Sequence, residues 1–175
     1  MCGINVLPTE TMRTLVSAVV LTRLDYCNGL LAELPASTLA PLCRVQKAAA
    51  RLVSGIRCND SVTAAMRKLH WLPIKFRIIY KISVTMHHVL YGQSPGYLKA
   101  LIQPIASMPN RQRLRSATSS TCFVPSFRTQ FGERAFSVSR PSIWNSLPEA
   151  LRSEKSFSTF KIKLKTHLFD LAYNN

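Results

Sequence analysis

Apolar residues that recur every three or four positions set the strongest limit on how this chain can fold. Leu42, Val45, Ala49, Leu52, Val53 and Ile56 form one such stripe, the spacing that lines a single face of an α-helix. Ser37 or Thr38 can cap this helix, and Pro41 is expected in its first turn, where a missing N–H costs little. Gly55 follows in a position suited to a left-handed terminating residue. A second stripe, Ile78, Ile82, Met86 and Leu90, follows Pro73. The stretch from Ile74 to Ile82 also alternates as a strand would. The pattern persists for more than four helical turns, however, and strands rarely run that long, so a helix from Pro73 to Tyr91 is the expectation.

Other segments follow the same logic. Leu15, Val19 and Leu24, with Val16, Val20 and Cys27, predict a helix that starts near Thr9 or Thr11 and stops at Asn28-Gly29. A shorter helix is expected from Asp60 or Ser61 to Leu69, ended by His70-Trp71-Leu72-Pro73 because proline disfavours helix in the residue before it. A brief turn is expected over Tyr97–Ile102, and a last helix from Ser156 to Leu171 with Phe157, Phe160, Leu164 and Leu168 on one stripe. Thr121–Val124 and Ala135–Val138 have strand character and could pair as a small hairpin. Pro141 to Leu147 reads as a turn of helix burying Trp144. The fold class is mainly α, a helical bundle with a small β-hairpin near residues 121–138. Residues 1–106 form its helical region, 107–120 a basic loop, and 121–175 the β element and C-terminal helix, packed as one unit.

Charge narrows the function classes. The chain carries 23 Lys+Arg against 8 Asp+Glu, a formal net charge of +15. From Ser61 to Gly132 there is no Asp or Glu, against ten Lys or Arg. Ordinary solvated surfaces intersperse both signs; unneutralised positive charge favours a polyanion, nucleic acid first. The candidate phosphate contacts are Arg44, Lys47 and Arg51, which recur at i, i+3 and i+7 on one helix, and Lys75, Arg77 and Lys81 on the next. Arg111, Arg113 and Arg115 alternate through the polar loop, followed by Arg128, and Lys161 and Lys165 stand one turn apart near the C-terminus. Such groups act through charge neutralisation and counterion release, which gives affinity more than sequence specificity. Each could equally be part of a solvated helix face.

Catalytic chemistry is hard to assemble. Two-metal polymerase chemistry needs paired carboxylates, yet Asp25, Asp60 and Asp170 are the only aspartates and lie on separate elements. Asp25 reads as a carboxylate near a helix end, paired with Arg23 or a neighbouring turn. Neither phosphate-cradling glycine motifs nor a nucleophile elbow occurs. The five cysteines and four histidines lack zinc-site spacing, so no cofactor or metal is expected. The cysteines read as reduced thiols of an intracellular protein, nuclear or cytoplasmic and not secreted, with Cys27 and Cys43 as small core side chains. The apolar stretch Leu15–Leu21 is too short to span a bilayer. Trp71 and Trp144 could stack on bases, but their Leu/Pro-flanked settings favour burial.

Several phrases add a family resemblance. Phe131-Gly-Glu-Arg-Ala-Phe-Ser-Val-Ser-Arg-Pro-Ser-Ile-Trp-Asn-Ser-Leu-Pro148, Leu24-Asp-Tyr-Cys-Asn28 and Leu69-His-Trp-Leu-Pro73 occur in order with Ser94-Pro95-Gly96-Tyr97-Leu98 and Leu164-Lys-Thr-His-Leu-Phe169. As a set they resemble the C-terminal region of LINE-type (non-long-terminal-repeat) retrotransposon reverse transcriptases, from about Val6 to Phe169. Lys47 and Ser61 depart from that pattern, where Asn and His are common. The resemblance implies a thumb-like helical tail, downstream of the polymerase core, that grips RNA or the template–primer duplex during target-primed reverse transcription. It does not carry over catalysis, since the catalytic motifs have no counterpart here. It also fits a truncated element, because the chain starts just before the first tail helix.

Overall fold

The computed structural model describes residues 8–57, 59–92, 94–107 and 120–174. The architecture is mainly α-helical, and no sheet forms among the described residues. Contacts divide the chain into two compact units, Met1–Ile78 with Phe169–Asn175, and Ile79–Leu168.

In the first unit, α1 (Thr9–Val16) continues through a π-helical turn (Ser17–Leu21) into α2 (Thr22–Asp25). Pro8 precedes α1 and no side chain caps it, so neither Thr9 nor Thr11 serves as the expected cap. The helix ends earlier than Asn28-Gly29: Tyr26 is extended and Cys27 turns left-handed at φ 51°. A 3-10 turn (Asn28–Leu31) leads to α3 (Ala36–Ser54), which packs against both α1 and α4. Pro41 sits in the second turn of α3, because the helix starts at Ala36, before the Ser37 or Thr38 expected as caps. Gly55 closes α3 at φ 61°, as its lack of a Cβ allows.

Helix α4 (Val62–Lys68) ends in a hydrogen-bonded reversal. The amide of Trp71 donates to Met66 O at 3.0 Å and that of His70 to Arg67 O at 3.1 Å, the pairing of a Schellman cap. His70 takes the left-handed position, φ 55°, that glycine usually fills. Its ring lies 5.5 Å from that of Phe169, and the Tyr173 hydroxyl donates to Trp71 O. Buried Gln46 on α3 satisfies the next carbonyl, donating from Nε2 to Leu72 O at 2.8 Å. Helix α5 (Ile74–Leu90) resolves the strand alternative in favour of helix. Ile74, Ile78, Ile82, Met86 and Val89 are buried along it.

The second unit comprises the remainder of α5, α6 (Gly96–Ala100), a 3-10 turn (Ile105–Ser107), α7 (Gln130–Glu133), α8 (Phe136–Asn145), α9 (Glu149–Arg152) and α10 (Phe157–Tyr173) as far as Leu168. Phe160, Leu164 and Leu168 of α10 are fully buried, as is Trp144. The ring of Phe160 meets Trp144 at 5.8 Å and stacks on His87 at 4.4 Å.

The expected hairpin is absent. Ala135 precedes the first turn of α8, and the rest of its proposed second strand is helical. Thr121 and Phe123 pair instead with the chain near Pro104: Ile105 N donates to Thr121 O at 3.0 Å, and Phe123 N to Gln103 O at 2.8 Å. The intervening residue, Cys122, bonds to a side chain. Its N–H donates to Asn145 Oδ1 at 2.9 Å, and its carbonyl accepts from Asn145 Nδ2 at 2.8 Å. A side-chain amide thus replaces the second strand. The Trp144 indole N–H adds a bond to Ser120 O at 2.8 Å, and Arg152 donates to both Thr121 Oγ1 (2.7 Å) and Leu147 O (3.0 Å). The Ile143-Trp-Asn-Ser-Leu147 phrase is therefore a clamp on residues 120–122. Burial pushes the Cys122 thiol up to about 11.

Candidate nucleic-acid interface

The candidate phosphate contacts of the first unit lie on α3 and at the start of α5. Arg44 and Lys47 are exposed on α3, while Arg51, one turn further, is half-buried. Lys75 is exposed on α5. Arg77 has another role: its Nε donates to Asp25 Oδ1 at 2.8 Å and its Nη2 to Asp25 Oδ2, a two-point pair. Asp25 also accepts from Asn28 Nδ2 at 3.3 Å. The carboxylate expected to pair with Arg23 or a neighbouring turn thus joins α2 to α5, and Arg77 is held in that bond. Arg67 and Lys68 are exposed in the last turn of α4, where positive charge complements the helix dipole.

In the second unit, Lys81 is exposed on α5 and Arg128 just before α7. Lys161 and Lys165 are exposed on α10, beside the buried stripe of Phe160 and Leu164. The Lys161 ammonium lies 5.1 Å over the Phe157 ring. Arg111, Arg113 and Arg115 fall outside the described residues.

Ion pairing leaves most of these charges to solvent. Among the described residues the ion pairs are Arg13–Glu10 at 4.0 Å, Arg77–Asp25, and Lys163–Glu154 at 2.7 Å. None of them takes Arg44, Lys47, Lys75, Lys81, Arg128, Lys161 or Lys165. The hydrogen bond from Lys163, with another from the Ser156 amide, holds the Glu154 carboxyl below its ordinary range. An exposed guanidinium or ammonium without an acid beside it can take a phosphate oxygen and release the condensed counterion.

Other residues with potential chemistry are built into the core. His87 is buried, and its Nε2 donates to the Glu154 carbonyl at 2.9 Å. Burial lowers its pKa. Arg140 is buried with its guanidinium carbon 5.0 Å over the Phe136 ring, and Nη1 donates to Ser139 Oγ at 2.8 Å. Trp71 and Trp144 are both buried, which removes them as base-stacking surfaces. Cys27, expected in the core, is exposed in its left-handed turn; Cys43 is half-buried, and Cys122 is buried. Among the described residues no three His, Cys, Asp or Glu side chains converge on a possible metal position, and no helix is long and apolar enough to cross a membrane.

The pattern of charges did not reveal two exposed aromatics close to Arg128 in the chain. Phe131 is 86% exposed and Phe127 is 46% exposed. A run of Phe-x-x-x-Phe with arginines beside it is the signal that could have marked them. Comparison with family models, curated proteins and solved structures found no match.

Proposed function

We propose that this chain is the non-catalytic nucleic-acid-binding tail of a LINE-type retrotransposon reverse transcriptase, which grips RNA or template–primer duplex through the phosphate backbone. The observation that carries this reading is the set of exposed, ion-pair-free cations (Arg44, Lys47, Lys75, Lys81, Lys161 and Lys165) in a chain of net charge +15. The quoted phrases support the family. Those around Trp71 and Trp144 build a helix end and a clamp in this chain. Catalysis has no part in this role.

A second reading is favoured by one observation: Val19, Tyr26 and Leu30 of the first unit are 63%, 80% and 74% exposed. A surface of that kind suits an interaction module that docks on a polymerase domain, with no nucleic-acid role of its own. Titration of the chain against short RNA, duplex DNA and an RNA–DNA hybrid at several salt concentrations separates the two. Phosphate binding loses roughly 0.7 to 0.9 in log–log slope for each contact removed, so Lys161→Ala with Lys165→Ala lowers the slope by between one and two. A folded protein that ignores all three ligands at low salt leaves the docking module.

A further inference from the structure

We propose that Phe131, with Phe127 and Arg128, forms a stacking platform for an unpaired RNA strand. This rests on the nucleic-acid reading above and adds the strandedness of the ligand. Phe131 is the most exposed large apolar side chain among the described residues, at 86%. Yet it belongs to an ordered turn. Thr129 Oγ1 accepts from Gly132 N at 3.1 Å, Glu133 N donates to Thr129 O at 3.1 Å, and Arg134 N donates to Phe131 O at 3.2 Å. That turn is tied to α8 by the Ala135 amide on Gly132 O (3.0 Å) and by the Ser139 hydroxyl on Ala135 O (3.1 Å). The ring is thus displayed from a fixed base instead of folding back onto the apolar core.

Phe127 stands beside it. A methyl group at Gly132 would fall 2.8 Å from Phe127 Cβ and 2.9 Å from Cγ, so the Phe127 side chain rests directly on the backbone next to Phe131. Only glycine permits that approach. Arg128, between the two aromatics in sequence, is exposed and takes part in none of the ion pairs. Glu133 is the only acid between residues 124 and 134. Aromatic faces with an adjacent cation match a single strand, whose bases offer π-faces and whose phosphates take the guanidinium. A duplex hides its base faces within the stack and offers only the phosphates. The charge complementarity is with an anion, which separates this patch from a purely apolar docking face.

The test measures binding of a labelled single-stranded RNA and the duplex of the same sequence to the full chain and to Phe131→Ala, Phe131→Leu and Phe131→Tyr. The side chain is exposed, so all variants are expected to melt as the parent does, checked by circular dichroism. Loss of one stacked base corresponds to about tenfold weaker single-strand binding. The expected result is that loss in the Ala and Leu variants, retention in the Tyr variant, and unchanged duplex binding in all three. Salt-sensitive binding by the parent with Phe131→Ala equal to it, or weakened equally on both ligands, overturns the platform and leaves the phosphate-binding reading standing. So does Phe131→Leu matching the parent, since leucine keeps apolar area without a π-face. Failure of the parent to bind either RNA at low salt overturns both together.

Discussion

Replacing Asn145 with alanine removes both bonds that hold Cys122, and the size of the effect follows from their geometry. The Asn145 amide meets the Cys122 N–H at 2.9 Å and its carbonyl at 2.8 Å, and Cys122 is 1% exposed. Truncation strands a buried donor and a buried acceptor, each costing about 1–3 kcal/mol when unpaired. Asn145 itself is half-buried, so water can partly replace its amide, which puts the loss near the low end, about 2–4 kcal/mol. Urea denaturation followed by circular dichroism measures that directly. Alkylation of the Cys122 thiol reports the same opening locally. At about 1.4 kcal/mol per decade, a loss near 3 kcal/mol makes labelling roughly a hundredfold faster where opening is in rapid equilibrium.

Asn145→Asp sharpens the test. It keeps the acceptor for the Cys122 N–H but sets a carboxylate against the Cys122 carbonyl, where the parent has a donor. The ionised form is disfavoured there, so the folded pKa of the new carboxyl is raised above the ordinary ~3.9. A group raised on folding stabilises as it protonates. The Asn145→Asp variant should therefore be weakened at pH 7 and regain stability relative to the parent as pH falls through the raised value toward ~3.9. A midpoint for Asn145→Ala within about 0.5 kcal/mol of the parent, with Cys122 labelled no faster, would falsify the clamp.

Two further outcomes rest on single contacts. The two-point Arg77–Asp25 bond is part-buried, so a double-mutant cycle with Arg77→Gln and Asp25→Asn should give a coupling of about 1–2 kcal/mol; a value near zero refutes its structural role. Burial lowers the His87 pKa below 6.5, which means the unfolded chain binds more protons at mildly acid pH. Stability should fall as pH drops below about 6.5, by no more than about 1.4 kcal/mol per pH unit. His87→Gln should flatten that part of the profile, and an unchanged slope in its urea midpoints between pH 5.5 and 7 refutes the assignment.

What the amino-acid order determined by itself is what depends on near neighbours. The stripes at Leu42–Ile56, Ile78–Leu90 and Phe157–Leu168 dictate α3, α5 and α10 because a helix closes its hydrogen bonds within four residues. Gly55 could be placed for the same reason, and the acid-free span marks the surplus of positive charge without reference to any contact. Exposure of Arg44, Lys47, Lys161 and Lys165 follows from their offset to those stripes.

Tertiary structure decided the rest. Thr121–Val124 has strand character, but its partners are the Asn145 side chain and the backbone near Pro104. Ala135–Val138 enters a helix because Val138, Ile143 and Trp144 are buried along α8. Arg77 looks like Lys81 in sequence, yet Asp25, fifty-two positions away, makes it a tie between helices. Cys27 has the apolar spacing of a core residue and is exposed because its backbone turns left-handed there. In each case the deciding partner lies far along the chain or in a local turn. The interaction energy of such a pair depends on distance in space, which local periodicity does not encode.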